Sequence, residues 1–169
     1  YEPLPRCCPE APATAIEGPV DGMAGMQGLH LLPLARAGTR VTVVLPERAA
    51  IDRVRAIYER AGLAAQLDAR LGDAVPAKRT FEVVLSFNAL PLVSDWRAYL
   101  RELLERAERR LLLFVTNPVS YGTWVRRATR ALTEPARERA ELFDHESTRP
   151  RRLQDALEQI GQVRDESFV

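Results

Sequence analysis

Apolar residues along this chain recur in two alternating rhythms. Short, nearly continuous runs occur at 40–45, 81–87 and 110–116, carrying Val41, Val43, Val44 and Leu45, then Val83, Val84 and Leu85, then Leu111 to Val115. Runs of that length, rich in valine and leucine, predict buried strands. Between them the spacing changes to three and four. Ile51, Val54, Tyr58 and Ala61 fall on one stripe, as do Trp96, Tyr99, Leu100, Leu103 and Ala107, and later Leu153, Ala156, Leu157 and Ile160. Those stripes predict amphipathic helices. Punctuation agrees with them: Pro46 opens the first and Gly62 closes it, Ser94 or Asp95 caps the second, and Gly161 follows the third.

Weaker patterns fill the gaps. Val20 and Asp21 are read as the end of a short first strand, followed by a turn holding Gly22, Gly25 and Gly28. Leu29, Leu32, Leu34 and Ala35 then predict a helix that stops at Gly38, with Pro33 tolerable only in its first turn. Residues 63–71 read as a further strand, and Gly72 and Asp73 turn the chain. Helical pieces are expected at 121–132 and 135–143, and a final strand at 162–169. Residues 1–18 contain four prolines and little periodicity, so they read as an extended arm, with the domain spanning 19–169.

Strands alternating with helices predict an α/β domain whose mainly parallel sheet is covered on both faces. Such sheets bind ligands at the carboxyl ends of their strands. In this chain that edge comprises residues 22–28, Leu45, Asp73 and residues 87–90.

Composition narrows the function classes. The 169 residues suffice for one domain with a real core, and 46% hydrophobic with 28% charged residues is ordinary for a globular protein. A net charge of +1, without a basic patch interleaved with aromatics, argues against nucleic acid as a partner. No apolar run approaches the roughly 20 residues that span a bilayer. The two cysteines, Cys7 and Cys8, are adjacent, which favours neither a disulfide framework nor a metal site and makes a reducing cytoplasm the expected compartment.

In order and spacing the chain resembles the class I S-adenosylmethionine (SAM) dependent methyltransferases over residues 20–169. Asp21-Gly22-Met23-Ala24-Gly25-Met26-Gln27-Gly28 stands where that family has an acid followed by a Gly-x-Gly-x-Gly loop. The run from Leu32 to Gly38, then Val41 to Val44, is similar to its first helix and second strand. Gly72-Asp73-Ala74 looks like its Gly-Asp-Ala turn, and Phe81 to Phe87 like its fourth strand. The resemblance, with the alternation of elements, implies a three-layer Rossmann-like fold with strand order 3-2-1-4-5-6 and the family's last strand missing. It implies SAM as cofactor, with Asp21, Gly22, Gly25 and Gly28 at its methionine end and Asp73 and Ala74 at its adenine.

The departures from the family pattern are specific. Met23 and Gln27 occupy loop positions that the family gives to glycine, where the backbone must approach the ligand. Leu45 stands where the family has the acid that holds the ribose hydroxyls, leaving Glu47, two residues on, to substitute; an acid restored at 45 is expected to tighten SAM binding. His30, placed in the first helix, reads as structural. Three functions remain open. The first is methyl transfer to a small-molecule acceptor. The second is a catalytically inactive methyltransferase-like scaffold, a pseudoenzyme joined to a protein partner through the N-terminal arm, with SAM binding lost. The third is a dinucleotide-binding protein, because Gly25 and Gly28 fit half of the Gly-x-Gly-x-x-Gly pattern.

Overall fold

A computed structural model describes residues 10–18, 28–72, 74–76, 78–115 and 150–160. Among them are five strands: β1 (Thr14–Glu17), β2 (Arg40–Leu45), β3 (Leu67–Leu71), β4 (Phe81–Phe87) and β5 (Ala107–Phe114). They form one sheet in the order β3-β2-β1-β4-β5, and every neighbouring pair is parallel. This is the expected Rossmann-like order as far as the fifth strand. The segments expected as a sixth strand (162–169) and as helices at 121–132 and 135–143 lie outside the described residues.

The first strand corrects the pattern-based expectation. Periodicity puts its end at Val20 and Asp21, yet β1 lies at Thr14–Glu17, inside the segment read as an arm. It occupies the middle of the sheet, with Ala15 beside Val41 on one side and Val83 on the other. Ala15 and Ile16 are fully buried. A strand with only two apolar residues, set between a proline-rich stretch and a charged Glu17, has no readable period. Residues 14–18 therefore belong to the sheet, and residues 1–9 lie outside the described residues.

Four helices are described: α1 (Leu32–Arg36), α2 (Arg48–Arg60), α3 (Trp96–Arg106) and α4 (Pro150–Ile160). Pro33 sits in the first turn of α1, where its missing N–H costs nothing. Ile51, Val54 and Tyr58 form the buried stripe of α2, while Ala61 ends that helix and is exposed. Asp95 caps α3 by accepting a hydrogen bond from the Ala98 amide at 2.9 Å. Ala107, expected on the face of α3, instead begins β5, so helix passes directly into strand. The strand starts three residues before the expected Arg110, because its first polar residues, Glu108 to Arg110, are exposed and carry no apolar signal. Among the described residues β5 is the last strand of the sheet.

Alternation along the strands sends neighbours to opposite faces and builds two cores. On one face Ala15, Val41, Val43, Leu45, Val83 and Leu85 pack against Leu34 and Ala35 of α1 and the stripe of α2. On the other, Ile16, Val44 and Val84 meet Trp96, Tyr99, Leu100 and Leu103 of α3 and Ala156 of α4. Phe81 joins this second core, although Val83 faces the first. The register of β4 against β5 shifts between these two residues. Each large side chain buried this way contributes about 1.5–3 kcal/mol, so α2 and α3 are held mainly by their stripes.

Candidate functional site

The chain leaves β1 towards α1 on one face of the sheet and leaves β4 towards α3 on the other. Adjacent parallel strands whose connections part in this way open a crevice at their carboxyl ends, where α/β sheets take their ligands. Glu17 and Gly18 end β1 at this crevice, and Phe87 and Asn88 end β4.

Glu17 is 2% exposed and stands in the middle of the sheet. A carboxylate so buried needs partners. Its Oε2 accepts the Gly28 N–H at 2.6 Å, and its Oε1 accepts from His30 Nδ1 at 2.9 Å. The Gly28 carbonyl in turn accepts the Tyr58 hydroxyl at 2.7 Å, which ties the same peptide to α2. Burial first, and the nearby Glu17 carboxylate second, push the Tyr58 phenol above its ordinary value, so it stays a donor. Gly28 has φ +86°, and a Cβ there would lie 3.0 Å from Val54 Cγ1. Both its backbone angle and its surroundings favour glycine.

The other end of the glycine-rich segment is fixed as well. The Gly18 N–H donates to the Leu85 carbonyl at 2.9 Å, which carries the β1–β4 pairing one step past the strand. A Cβ on Gly18 would come within 2.5 Å of the Tyr99 hydroxyl. Burial pushes the Tyr99 phenol up to about 12, with the Ser86 hydroxyl opposing. The segment from 19 to 27 thus runs between two anchored glycines.

His30 lies in the turn before α1, not within a helix as expected. Its ring stacks on Phe87 at 4.0 Å between centroids and 15° between planes. Phe87 stacks on Phe114 at 5.4 Å and 29°. The Asn88 N–H donates to the Phe114 carbonyl at 2.7 Å, which holds the ends of β4 and β5 together under these rings.

The residues expected at a cofactor site separate into two groups. Gly28, Glu47 and Ala74 are described. Gly28 is buried on Glu17, and Glu47 is the exposed N-terminal cap residue of α2, where its side chain makes no capping bond. Ala74 is exposed beyond β3, where the Gly72 N–H donates to the Leu45 carbonyl at 2.9 Å. Asp21, Gly22, Gly25 and Asp73 lie outside the described residues, as do Cys7, Cys8, Met23 and Gln27. Leu45, in the place of the ribose-binding acid, is 4% exposed and packs in the first core.

Sequence reasoning missed Glu17 as the acid that ends the central strand, and with it the contact that brings His30 into the site. A signal was present: Glu17-Gly18 follows two apolar residues and precedes Asp21-Gly22 by four positions. Among the described residues no group of three His, Cys, Asp or Glu side chains could hold a metal ion, and no helix is long and apolar enough to cross a membrane.

Comparison with solved structures shows the fold of the class I SAM-dependent methyltransferases. The magnesium protoporphyrin IX methyltransferase ChlM from Synechocystis PCC 6803, solved with bound S-adenosylhomocysteine (SAH), superposes with a TM-score of 0.61 at 18% identity, covering 89% of this chain and 64% of that one. The mitomycin 7-O-methyltransferase MmcR gives a TM-score of 0.56 at 19% identity, with coverage of 78% and 38%. The methyltransferase CcbJ from Streptomyces caelestis gives 0.53 at 21%, with coverage of 64% and 44%. The chain spans less than two thirds of the length of each of these enzymes. No family model matches the sequence, and no curated protein matches it.

Proposed function

We propose that this chain is the SAM-binding core of a methyltransferase acting on a small-molecule acceptor. The observation that carries the reading is the buried Glu17 at the carboxyl end of the central strand, which holds the Gly28 amide within a methyltransferase-type sheet. That contact holds Gly28 at the carboxyl end of β1, the edge at which sheets of this kind bind ligands. SAM, when bound, supplies an electrophilic methyl group on a sulfonium. Asp21, Gly22, Gly25 and Gly28 then belong to its methionine end, Glu47 to the ribose, and Asp73 and Ala74 to the adenine. The residues fit in part. Glycine is favoured at both ends of the segment, whereas β2 ends in an apolar Leu45 and leaves Glu47, two residues on, to substitute for the family's acid. Alignment of acceptor and sulfonium carries much of the rate in such a transfer, so no catalytic triad is required.

The buried Leu45 favours a second reading, a methyltransferase-like scaffold without activity that serves a protein partner. Calorimetric titration of the purified chain with SAM and with SAH separates the two. Binding of both, weakened roughly ten- to hundredfold by Glu47→Ala, supports the methyltransferase, because a hydrogen bond to a charged group contributes about 1.5–3 kcal/mol. No heat with either ligand supports the scaffold.

A further inference from the structure

Among the described residues β3 is an edge of the sheet. Successive residues of a strand direct their N–H and C=O groups to opposite sides. The Gly72 N–H points to β2, where it donates to the Leu45 carbonyl at 2.9 Å. The groups of Leu67, Ala69 and Leu71, at the alternate positions, therefore point away from the sheet. Pairing with β2 fixes the two faces. Leu67 and Ala69 lie beside Val41 and Val43 and pack on the first core, and Leu71 lies beside Leu45 on that same face. Asp68 and Arg70 lie beside Thr42 and Val44 on the other face. Leu71 is 58% exposed, an apolar side chain left open at this edge. A strand edge of this kind is a template for another strand.

We propose that β3 is an interface between two copies of this chain, paired antiparallel about a twofold axis at Ala69; the inference does not depend on the methyltransferase reading. A twofold interface requires the strand to fit itself. With Ala69 opposite its counterpart, Asp68 stands opposite Arg70 and Leu67 opposite Leu71, in both directions. Leu67, Ala69 and Leu71 then exchange backbone hydrogen bonds across the axis. The Asp68–Arg70 pairs fall between them, at the non-hydrogen-bonded positions where side chains across an antiparallel pair come closest. Charge also selects this register, because a shift that puts Asp68 or Arg70 on the axis sets like charges against each other. Leu71 gains an apolar neighbour in Leu67 of the other copy. Within one chain Asp68 accepts from Arg70 and, at 3.0 Å, from Arg79. In the dimer Arg79 keeps its hold and Arg70 turns to Asp68 of the other copy, so no carboxylate loses a partner. The Ala69 carbonyl accepts from Arg55 Nη2 at 3.3 Å on the exposed side, and its second lone pair serves the incoming strand. A five-residue strand gives a small interface, so the dimer dissociates on dilution.

Analytical ultracentrifugation of the full chain, from micromolar concentrations to about 1 mM, is expected to show a reversible monomer–dimer equilibrium. Asp68→Arg opposes two arginines across the axis, and Arg70→Asp opposes two aspartates. Each variant alone is expected to dimerise at least roughly tenfold more weakly, since two like-charge pairs then face each other. Mixed in equal amounts, the two variants are expected to restore the dimer, because every opposing pair in the mixed species is again of opposite charge. A parent chain that stays monomeric throughout would overturn the proposal. So would a dimer that neither single variant weakens, or a mixture that fails to associate although each variant unfolds cooperatively in urea as the parent does. Hydrogen exchange of the parent chain needs no variant. The amides of Ala69 and Leu71 are expected to gain protection as concentration rises through the equilibrium, and a dimer that leaves them unprotected belongs to another surface and sinks the inference.

Discussion

Gly28 is where three parts of the molecule meet in one peptide unit. Its amide is held by Glu17 of β1, its carbonyl by Tyr58 of α2, and its φ of +86° turns the chain into the segment before α1. Tyr58 is fully buried, so removing its hydroxyl leaves a carbonyl without its partner and no space for bulk water. Tyr58→Phe is therefore expected to destabilise the fold by about 1–3 kcal/mol in urea unfolding. A change below about 0.5 kcal/mol would mean that the carbonyl finds another donor. Little of this was legible in sequence. Tyr58 was readable as a core position from its helical spacing, but its hydroxyl partner is 30 residues away. Gly28 was readable as a turn glycine, but what it is bonded to was not.

At the scale of elements, the readable pieces were those whose burial is continuous or periodic. β2 is buried from Val41 to Leu45, β4 is mostly buried, and α2 and α3 show clean stripes. β3 was harder, because Asp68 and Arg70 interrupt it. With Arg79 these residues form a half-exposed ion cluster: Asp68 accepts from Arg70 Nε at 2.9 Å and from Arg79 Nη1 at 3.0 Å. Arg70 foremost, joined by Arg79, holds the Asp68 carboxyl below the usual carboxylate range. A lowered folded-state value contributes stability that is present above the ordinary range and is lost as pH falls through the folded value. Solvent and salt screen such a cluster, so the contribution is small. Urea unfolding across acidic pH should show a shallower decline for Asp68→Asn than for the parent chain, and the gap should shrink at high salt. Identical slopes would show that the cluster adds nothing to the hold on β3.

For the whole molecule, the ribose end of the proposed site and the first core share one residue. Leu45 ends β2 beside the site, yet it packs in the cluster that contains Ile51 and Val54. Leu45→Asp places a carboxylate where the parent chain buries a leucine, and a loss of about 2–5 kcal/mol in unfolding free energy is expected. If SAM binds and the new acid reaches its ribose, saturating SAM should recover part of that loss, since a ligand that binds only the native state stabilises it by mass action. A loss below about 1 kcal/mol without ligand would show that position 45 turns outward. Any gain in affinity from an acid at this position is thus set against the core it disturbs.

The sequence by itself determined the fold class, the places of four of the five strands along the chain and the faces of the principal helices, while the order of the strands in the sheet was implied by the family resemblance. The strand places and helix faces follow from continuous apolar runs and from spacings of three and four along the chain, and such patterns are relations among near neighbours. Only the tertiary structure decided which segment fills the middle of the sheet and which acid ends it. Thr14–Glu17 becomes a strand because β2 and β4 pair with it on both sides, although its own four residues carry almost no pattern. Glu17 is stable when buried because an amide 11 residues on and an imidazole 13 residues on come to its two oxygens. Partners brought together by folding leave no periodic trace in the chain, so the Glu17–His30 pair became visible only when β1, the turn before α1 and the end of β4 were assembled.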